Sequence, residues 1–376
     1  MICFRVDSGW AIGTGHLMRC LSLADAFRAR GLACVFLSRD HEGSAAGLVA
    51  SRGHRVQSLG PAVAADPKNH ATWIGSDMMW DAADTAAAIY NLSGNAGARI
   101  LFVDHYGISA PWERALRASC HVLAVLDDMN DRPHDCDLLV DQNLGKTARF
   151  YKGLIPEHAL VLAGADFAPI RPEFAEERPG SLARRMDGET QRRIFVAYGG
   201  IDADDSSSLT VAAIEALRER SEFADLAADV VISSRAPHID ALRRRISAAG
   251  PHICLYVDTP AVARLMSHSL VACGGGGVTA LERCVVGLPT LMLIQASNQE
   301  QMGNSIELSG AGRVIGRSSE VALAEIREAL AELLADPAGL TKMSTAAAAL
   351  CDGHGLERIV TACLDKTRSA SAGNLN

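Results

Sequence analysis

Short apolar runs alternate with apolar positions at helical spacing along most of this chain. Ile2-Cys3-Phe4-Arg5-Val6 is β-prone, and Gly13-Thr14-Gly15-His16 follows it. Leu17, Leu21 and Ala24 then recur at helical spacing, and Gly31 stands where a helix would end. The same pattern predicts strands at Cys34–Leu37, His54–Val56, Arg99–Val103, His121–Leu126 and Leu138–Val140. Helices are predicted at Ser44–Arg52, Asp81–Leu92 and Pro111–Ser119. Residues 61–80 look irregular, with Trp73 and Trp80 read either as core plugs or as parts of a mobile loop. Residues 171–192 break the alternation, because they hold Pro172, Pro179, Gly180 and many charges with little apolar periodicity.

Strand–helix alternation then restarts. Strands are predicted at Arg193–Tyr198, Asp229–Ile232, Ile253–Val257, Leu270–Cys273 and Thr290–Ile294. Helices are predicted at Ser207–Arg220, His238–Ala249, Pro260–Ser267, Thr279–Val286, Asn298–Ser309 and Val321–Ala335. Continuous apolar strands separated by helices imply parallel sheets covered on both faces. The expected architecture is α/β, with two doubly wound Rossmann-like domains facing a central cleft. Residues 1–170 form the first domain, 171–192 a linker, 193–366 the second domain and 367–376 a disordered tail. No repeat of 20–50 residues is evident, which disfavours a solenoid.

Composition narrows the class. The 376 residues are 48% hydrophobic, enough for two substantial cores. The net charge is −8 with both signs interspersed, which argues against broad nucleic-acid binding. No apolar run reaches membrane-spanning length, and no signal peptide is evident at the start. The ten cysteines are scattered without a C-x-x-C pair, so they read as free thiols in a reducing cytoplasm. Neither H-E-x-x-H nor a Cys/His cluster at zinc spacing occurs, so no metal and no cofactor are expected. Nothing here fixes the oligomeric state.

Two glycine turns carry the candidate chemistry. Gly13, Thr14 and Gly15 open a helix, where backbone N–H groups and the positive end of the helix dipole suit anions. That setting disfavours imidazolium, so His16 is expected to stay neutral and basic near pH 7, as a general base must. Such turns also occur simply to pack a strand tightly on a helix. Neither the G-x-G-x-x-G fingerprint nor a P-loop is complete, because Met18 occupies the third glycine position and no Gly-Lys-Ser/Thr follows. Gly274-Gly275-Gly276-Gly277 forms the second turn, ahead of a helix starting near Thr279. Glu282 is read either as half of a capping box with Thr279 or as a ribose ligand. Gln295–Gln301 is a polar loop whose Asn298 and Gln299 suit sugar hydroxyls or helix capping equally well.

Gly274–Pro289 with the following Asn-Gln loop resembles the nucleotide-sugar signature of two-domain GT-B enzymes, among them the UDP-GlcNAc transferase that makes lipid II. Five separated segments narrow the resemblance to the UDP-sugar hydrolases of pseudaminic acid biosynthesis. These are the opening from Arg5 to Leu21, Val103–Gly107, Asp127-Asp128 with His134–Asp137, Ala168–Phe174, and Gly199-Gly200-x-Asp202. Leu281 departs from the pattern, since family members carry Trp or Asn before the glutamate, and four glycines replace a Gly/Ala/Ser mixture.

The resemblance implies hydrolysis of UDP-2,4-diacetamido-2,4,6-trideoxy-β-L-altropyranose to UDP and the free sugar. His16 is then the catalytic base. Gly13, Thr14 and Gly15 lie near the diphosphate–sugar junction, and Tyr106 contacts the sugar. Gly276, Gly277 and Thr279 bind phosphate, Glu282 binds ribose, and Gly199, Gly200, Asn298 and Gln299 line the cleft. Asp104 and His105 are placed to orient Tyr106 or His16, and Asp7 to hydrogen-bond either the loop or the sugar. The expected partner is a UDP-sugar, without nucleic acid or membrane. The alternatives are a GT-B glycosyltransferase and a non-catalytic nucleotide-sugar-binding protein.

Overall fold

The computed structural model describes the backbone of residues 1–373 and the side chains of residues 1–369. The chain forms two compact units, residues 1–170 with 354–376, and residues 171–353. In the first unit the strands are β1 (Ile2–Val6), β2 (Cys34–Asp40), β3 (Arg55–Pro61), β4 (Ala98–Asp104), β5 (Cys120–Leu126), β6 (Leu138–Asp141) and β7 (Leu160–Ala163). Its helices begin with α1 (Gly15–Ala29), α2 (Ala46–Ser51), α3 (Met78–Ser93) and α4 (Ala110–Leu116). The sheet runs β3-β2-β1-β4-β5-β6-β7, and every pair is parallel.

Alternation along β1 shows how both faces are used. Ile2, Phe4 and Val6 enter one core, and Cys3 enters the other. Phe4 pairs in register with Phe36 and Phe102, and both rings stack on it at 5.0 Å. Arg5 shares the Cys3 face and is fully buried. Its guanidinium meets Asp7 at 2.8 Å and Asp81 at 2.8 Å, so the charge is paired where it is desolvated.

The second unit begins with α5 (Pro172–Met186) and β8 (Gln191–Ala197), then α6 (Ser206–Arg218), β9 (Ala227–Ile232), α7 (Ile239–Ala249) and β10 (Ile253–Val257). It continues with α8 (Val262–His268), β11 (Ser269–Gly274), α9 (Val278–Val285), β12 (Thr290–Ile294), α10 (Glu300–Leu308), β13 (Gly312–Arg317), α11 (Leu323–Leu334) and α12 (Pro337–Leu350). Its parallel sheet has the order β10-β9-β8-β11-β12-β13. In each sheet the order reverses beside the first strand of the unit. The crevices that doubly wound sheets offer to ligands therefore lie at the ends of β1 and β4, and of β8 and β11.

Three boundaries differ from the sequence expectation. Residues 171–192 are not a linker, since most of them form α5. This helix starts with Pro172 at a tolerated first-turn position and contains Pro179. Its inward stripe is Phe174, Arg178, Ser181 and Arg185, so apolar periodicity is faint. The stripe is held by hydrogen bonds to spent helix ends. Arg178 donates to the carbonyls of Val285, Ala348 and Cys351, Ser181 to Val286, and Arg185 to Val286 and Met266. Those carbonyls close α9, α12 and α8, where cations and donors are favoured.

The second domain also does not extend to residue 366. Helix α13 (Gly355–Gly373) belongs to the first unit, where Leu356, Ile359, Val360 and Cys363 join its core. Residues 367–373, expected to be disordered, continue this helix, and 374–376 lie outside the described residues.

Candidate active site

In the first unit the chain leaves β1 through a short loop whose ends clasp each other. Gly9 and Gly13 exchange backbone hydrogen bonds of 3.3 and 2.8 Å. Gly13 has φ +78°, a left-handed conformation that an L side chain resists. Helix α1 starts at Gly15 with Thr14 as its N-cap, and no side chain caps it. His16 is thereby carried on the first turn, as expected.

Its Nδ1 lies 2.6 Å from Oδ1 of Asp104, the last residue of β4. Asp104 also takes a two-pronged grip from Arg19, with Nε to Oδ2 and a terminal nitrogen to Oδ1, each at 2.6 Å. Burial opposes a charge on Asp104, but Arg19 and His16 outweigh it and hold the carboxyl well below its usual range. An ionised carboxylate can only accept. The proton of the imidazole therefore sits on Nδ1, and Nε2 offers a lone pair.

The remaining expectations around His16 resolve unevenly. Asp104 orients His16, whereas His105 turns away. Nε2 of His105 lies 3.2 Å from Asp7, and Nδ1 accepts the amide of Gly107. Asp7 holds strands rather than the loop, with Arg5 of β1 and Ser38 and the Arg39 amide of β2 on one oxygen. Tyr106 stands edge-on to His16, with centroids 4.5 Å apart, but its hydroxyl donates to Asp128 at 2.6 Å. What it presents is a ring. That ring stacks on Trp73 and lies against His70. Trp73 is buried and belongs to this wall, whereas Trp80 is exposed.

In the second unit a run of four glycines ends β11 and leads into α9, and a Cβ on any of the first three would crowd a neighbour. A Cβ on Gly274 would sit 2.5 Å from the Arg283 guanidinium. One on Gly275 would sit 2.7 Å from Oε1 of Gln295, and one on Gly276 would sit 3.0 Å from Cβ of Gln299. Over Gly277 there is open space. The amide of Gly276, expected to bind phosphate, already donates to Oε1 of Gln299 at 3.0 Å. Gly277 instead caps α9 without side-chain help, and half-buried Thr279 occupies the second position of the helix. Ala280 donates to the Gly277 carbonyl at 2.9 Å, and the amides before it in this turn precede any intrahelical acceptor.

Glu282 is in the second turn of α9, not the first, so no capping box forms with Thr279. Its Oε1 accepts from Arg171 at 3.2 Å, and Oε2 has no hydrogen bond among the described residues. Burial pushes the carboxyl up, and Arg171 pulls it back.

Gly199 (φ +87°) and Gly200 lie exposed after β8. The helix beyond them has its amides filled, because Asp202 accepts from Ser206 and Ser207 at 3.0 and 2.9 Å. Gln295 reaches the same carboxylate at 3.3 Å. Gln299 faces the glycine turn, whereas Asn298 is exposed.

Arg19, Asp128, Gln295 and Arg283 were not assigned roles from the sequence. Arg19 left a signal by lying three residues after His16 on the same helix face, Asp128 and Gln295 only as members of a matched segment and a polar loop, and Arg283 none. All ten cysteines are free thiols. Among the described residues no group of three His, Cys, Asp or Glu side chains is arranged for a metal, and no helix is long and apolar enough to cross a membrane.

No family model matches the chain. It is 26% identical over 268 residues to the UDP-2,4-diacetamido-2,4,6-trideoxy-β-L-altropyranose hydrolase of Campylobacter jejuni, covering 71% of this chain and 82% of that one. The resemblance carried by the five segments is thus borne out. Among solved structures, MurG of Acinetobacter baumannii superposes with a TM-score of 0.63 at 12% identity, covering 97% of this chain and 99% of that one. A Staphylococcus aureus MnaA–UDP structure superposes with a TM-score of 0.60 at 13% identity, covering 96% and 94%. The fold is therefore of the GT-B type, with two Rossmann-like domains.

Proposed function

We propose that this protein is a UDP-sugar hydrolase that cleaves UDP-2,4-diacetamido-2,4,6-trideoxy-β-L-altropyranose to UDP and the free diacetamido sugar, in the route to pseudaminic acid. The similarity to the Campylobacter hydrolase supplies the substrate. The observation that carries the chemistry is the Asp104–His16 pair at the crevice beside β1, with Nδ1 tied and Nε2 available. In the reaction, Nε2 takes a proton from water as the water oxygen bonds to the anomeric carbon. The bond from that carbon to the β-phosphate oxygen breaks, and its electron pair leaves with UDP. Attack opposite the leaving group inverts the anomeric carbon. UDP is a good leaving group, so a strong general acid is unnecessary, and the reaction proceeds without a metal.

The second unit supplies the nucleotide-holding groups: the open turn at Gly277 and Thr279 for the diphosphate, and Glu282 for the ribose. Gln299 acts from behind, by shaping the turn through Gly276. In the first unit, the Gly13–Gly15 turn leaves open space beside its backbone at the start of α1, where the diphosphate–sugar junction would lie. Tyr106 contributes its ring rather than its hydroxyl. Localisation in the cytoplasm accords with ten free thiols.

The test is turnover in ¹⁸O-water with excess EDTA and no acceptor. Expected are free UDP and label on the sugar. Label on UDP would mean attack at phosphorus, and UDP release only with a glycosyl acceptor would identify a transferase. His16→Asn and His16→Phe should each lower kcat by ~10²–10⁴-fold. UDP affinity should stay near that of the unaltered protein.

A further inference from the structure

One buried cation in the first unit joins the groups that surround the candidate base. Arg19 is nearly inaccessible, and it touches three other members of a connected set. Two of its nitrogens hold both oxygens of Asp104 at 2.6 Å. The third, NH1, reaches Oδ2 of Asp128 at 3.0 Å. Oδ1 of Asp128 accepts the Tyr106 hydroxyl at 2.6 Å, and the Tyr106 ring lies against the imidazole of His16. Arg19 therefore stands at the middle of a closed path, His16–Asp104–Arg19–Asp128–Tyr106 and back to His16. One of its terminal nitrogens is itself 3.1 Å from Nδ1 of His16.

We propose that Arg19 is a positioning residue for the water-activating imidazole: by gripping Asp104 and Asp128 together it fixes the ring of His16 and keeps the ring's charge in check. The inference rests on the general-base role given to His16 above.

Two physical effects support it. The first is geometric. A carboxylate held at both oxygens cannot rotate, so its hydrogen bond to Nδ1 fixes the plane of the imidazole and the direction of Nε2. The second is electrostatic. Asp104 alone would favour imidazolium, which is useless as a base. The guanidinium beside it offsets that pull. The charged and titratable groups around His16 are Asp104 from β4, Arg19 from α1, Tyr106 just after β4 and His70 from the segment before α3, with His105 nearby but turned toward Asp7. Arg19 is the only permanent cation among them.

The test uses the full chain with Arg19→Lys and Arg19→Met, assayed for UDP release across pH. A parallel NMR titration follows the His16 imidazole without substrate. Lysine keeps the charge but cannot grip two carboxylates in a fork. Expected for Arg19→Lys is a ~10–100-fold fall in kcat with little change in KM and little movement of the acid limb. Methionine removes the charge as well. For Arg19→Met the acid limb of the rate profile and the imidazole midpoint should both move up by about one pH unit.

An imidazole midpoint unmoved in Arg19→Met, or unaltered kcat in Arg19→Lys, would overturn the proposal. Should Arg19→Met fail to fold, Arg19→Lys decides the matter through kcat against KM. The NMR midpoint is independent of turnover, and inactivity of the unaltered protein would instead overturn the hydrolase reading.

Discussion

Glu282 has one oxygen committed to Arg171 and one open, which makes it the most informative single residue of the second unit. Arg171 also meets Glu173 at 2.8 Å, so losing Glu282 does not strand its charge. Glu282→Ala should therefore leave a folded protein, while UDP affinity measured by calorimetry falls by roughly 1–3 kcal/mol. Undiminished affinity would confine Glu282 to its ion pair. Residues of this kind were partly legible. His16 and Glu282 stand beside glycine turns, and a reactive side chain next to an open backbone shows itself in sequence. Arg283 does not. It reads as an ordinary helix-surface charge, yet it is fully buried, donating to Thr290 and to the carbonyl of Gly275. Burial pulls its pKa down, and its NH1 has no hydrogen-bond partner. Its bonds to β12 and to the turn itself hold that cation beneath the turn.

At the scale of elements, the last two glycines of the second turn should behave differently. At Gly277, φ is −76° and a Cβ meets nothing, so Gly277→Ala should cost at most about 1 kcal/mol as a weaker cap. UDP binding should nevertheless weaken about tenfold if the diphosphate sits on that backbone. Gly276→Ala should lower both UDP affinity and the melting temperature, because the methyl displaces Gln299. Equal UDP affinity for Gly277→Ala and the unaltered protein would place the diphosphate elsewhere.

Strands with long apolar runs were the most legible elements. Ile253–Val257 and Thr290–Ile294 carry unbroken apolar runs, and they form with those bounds. What escaped had mixed signals. Edge strand β13 alternates Arg, Gly and apolar residues. Helix α12 presents mostly Ala, Ser and Thr. Helix α5 hides its inward face behind arginines.

For the whole molecule, pH should act through buried charges. His134 lies 2.6 Å from Glu113 and 3.8 Å from Asp127. Burial disfavours its cation, but the two carboxylates outweigh burial and raise it to about 9. A histidine raised on folding stabilises fully below its unfolded value, near ~6.5, and loses that contribution as pH rises through 9. Denaturant melts should therefore show stability declining from near-neutral pH to above pH 9, by as much as a few kcal/mol. His134→Gln should flatten that slope. An identical slope in the variant would assign it to other groups. At the acid end, Asp7, Asp81 and Asp104 are held low against burial by their cations, so their contribution is lost only in strong acid.

The return of α13 to the first unit has a consequence for how this protein is made. Translation delivers residues 1–170 first, but the hydrophobic layer on α1 and the sheet stays open until Leu356, Ile359, Val360 and Cys363 arrive. Residues 171–353 are by then already synthesised as a continuous block with its own core. The unit that begins first is thus completed last. A chain released before α13 has the His16 half with an uncovered apolar face, while the half bearing the glycine-rich turn is whole.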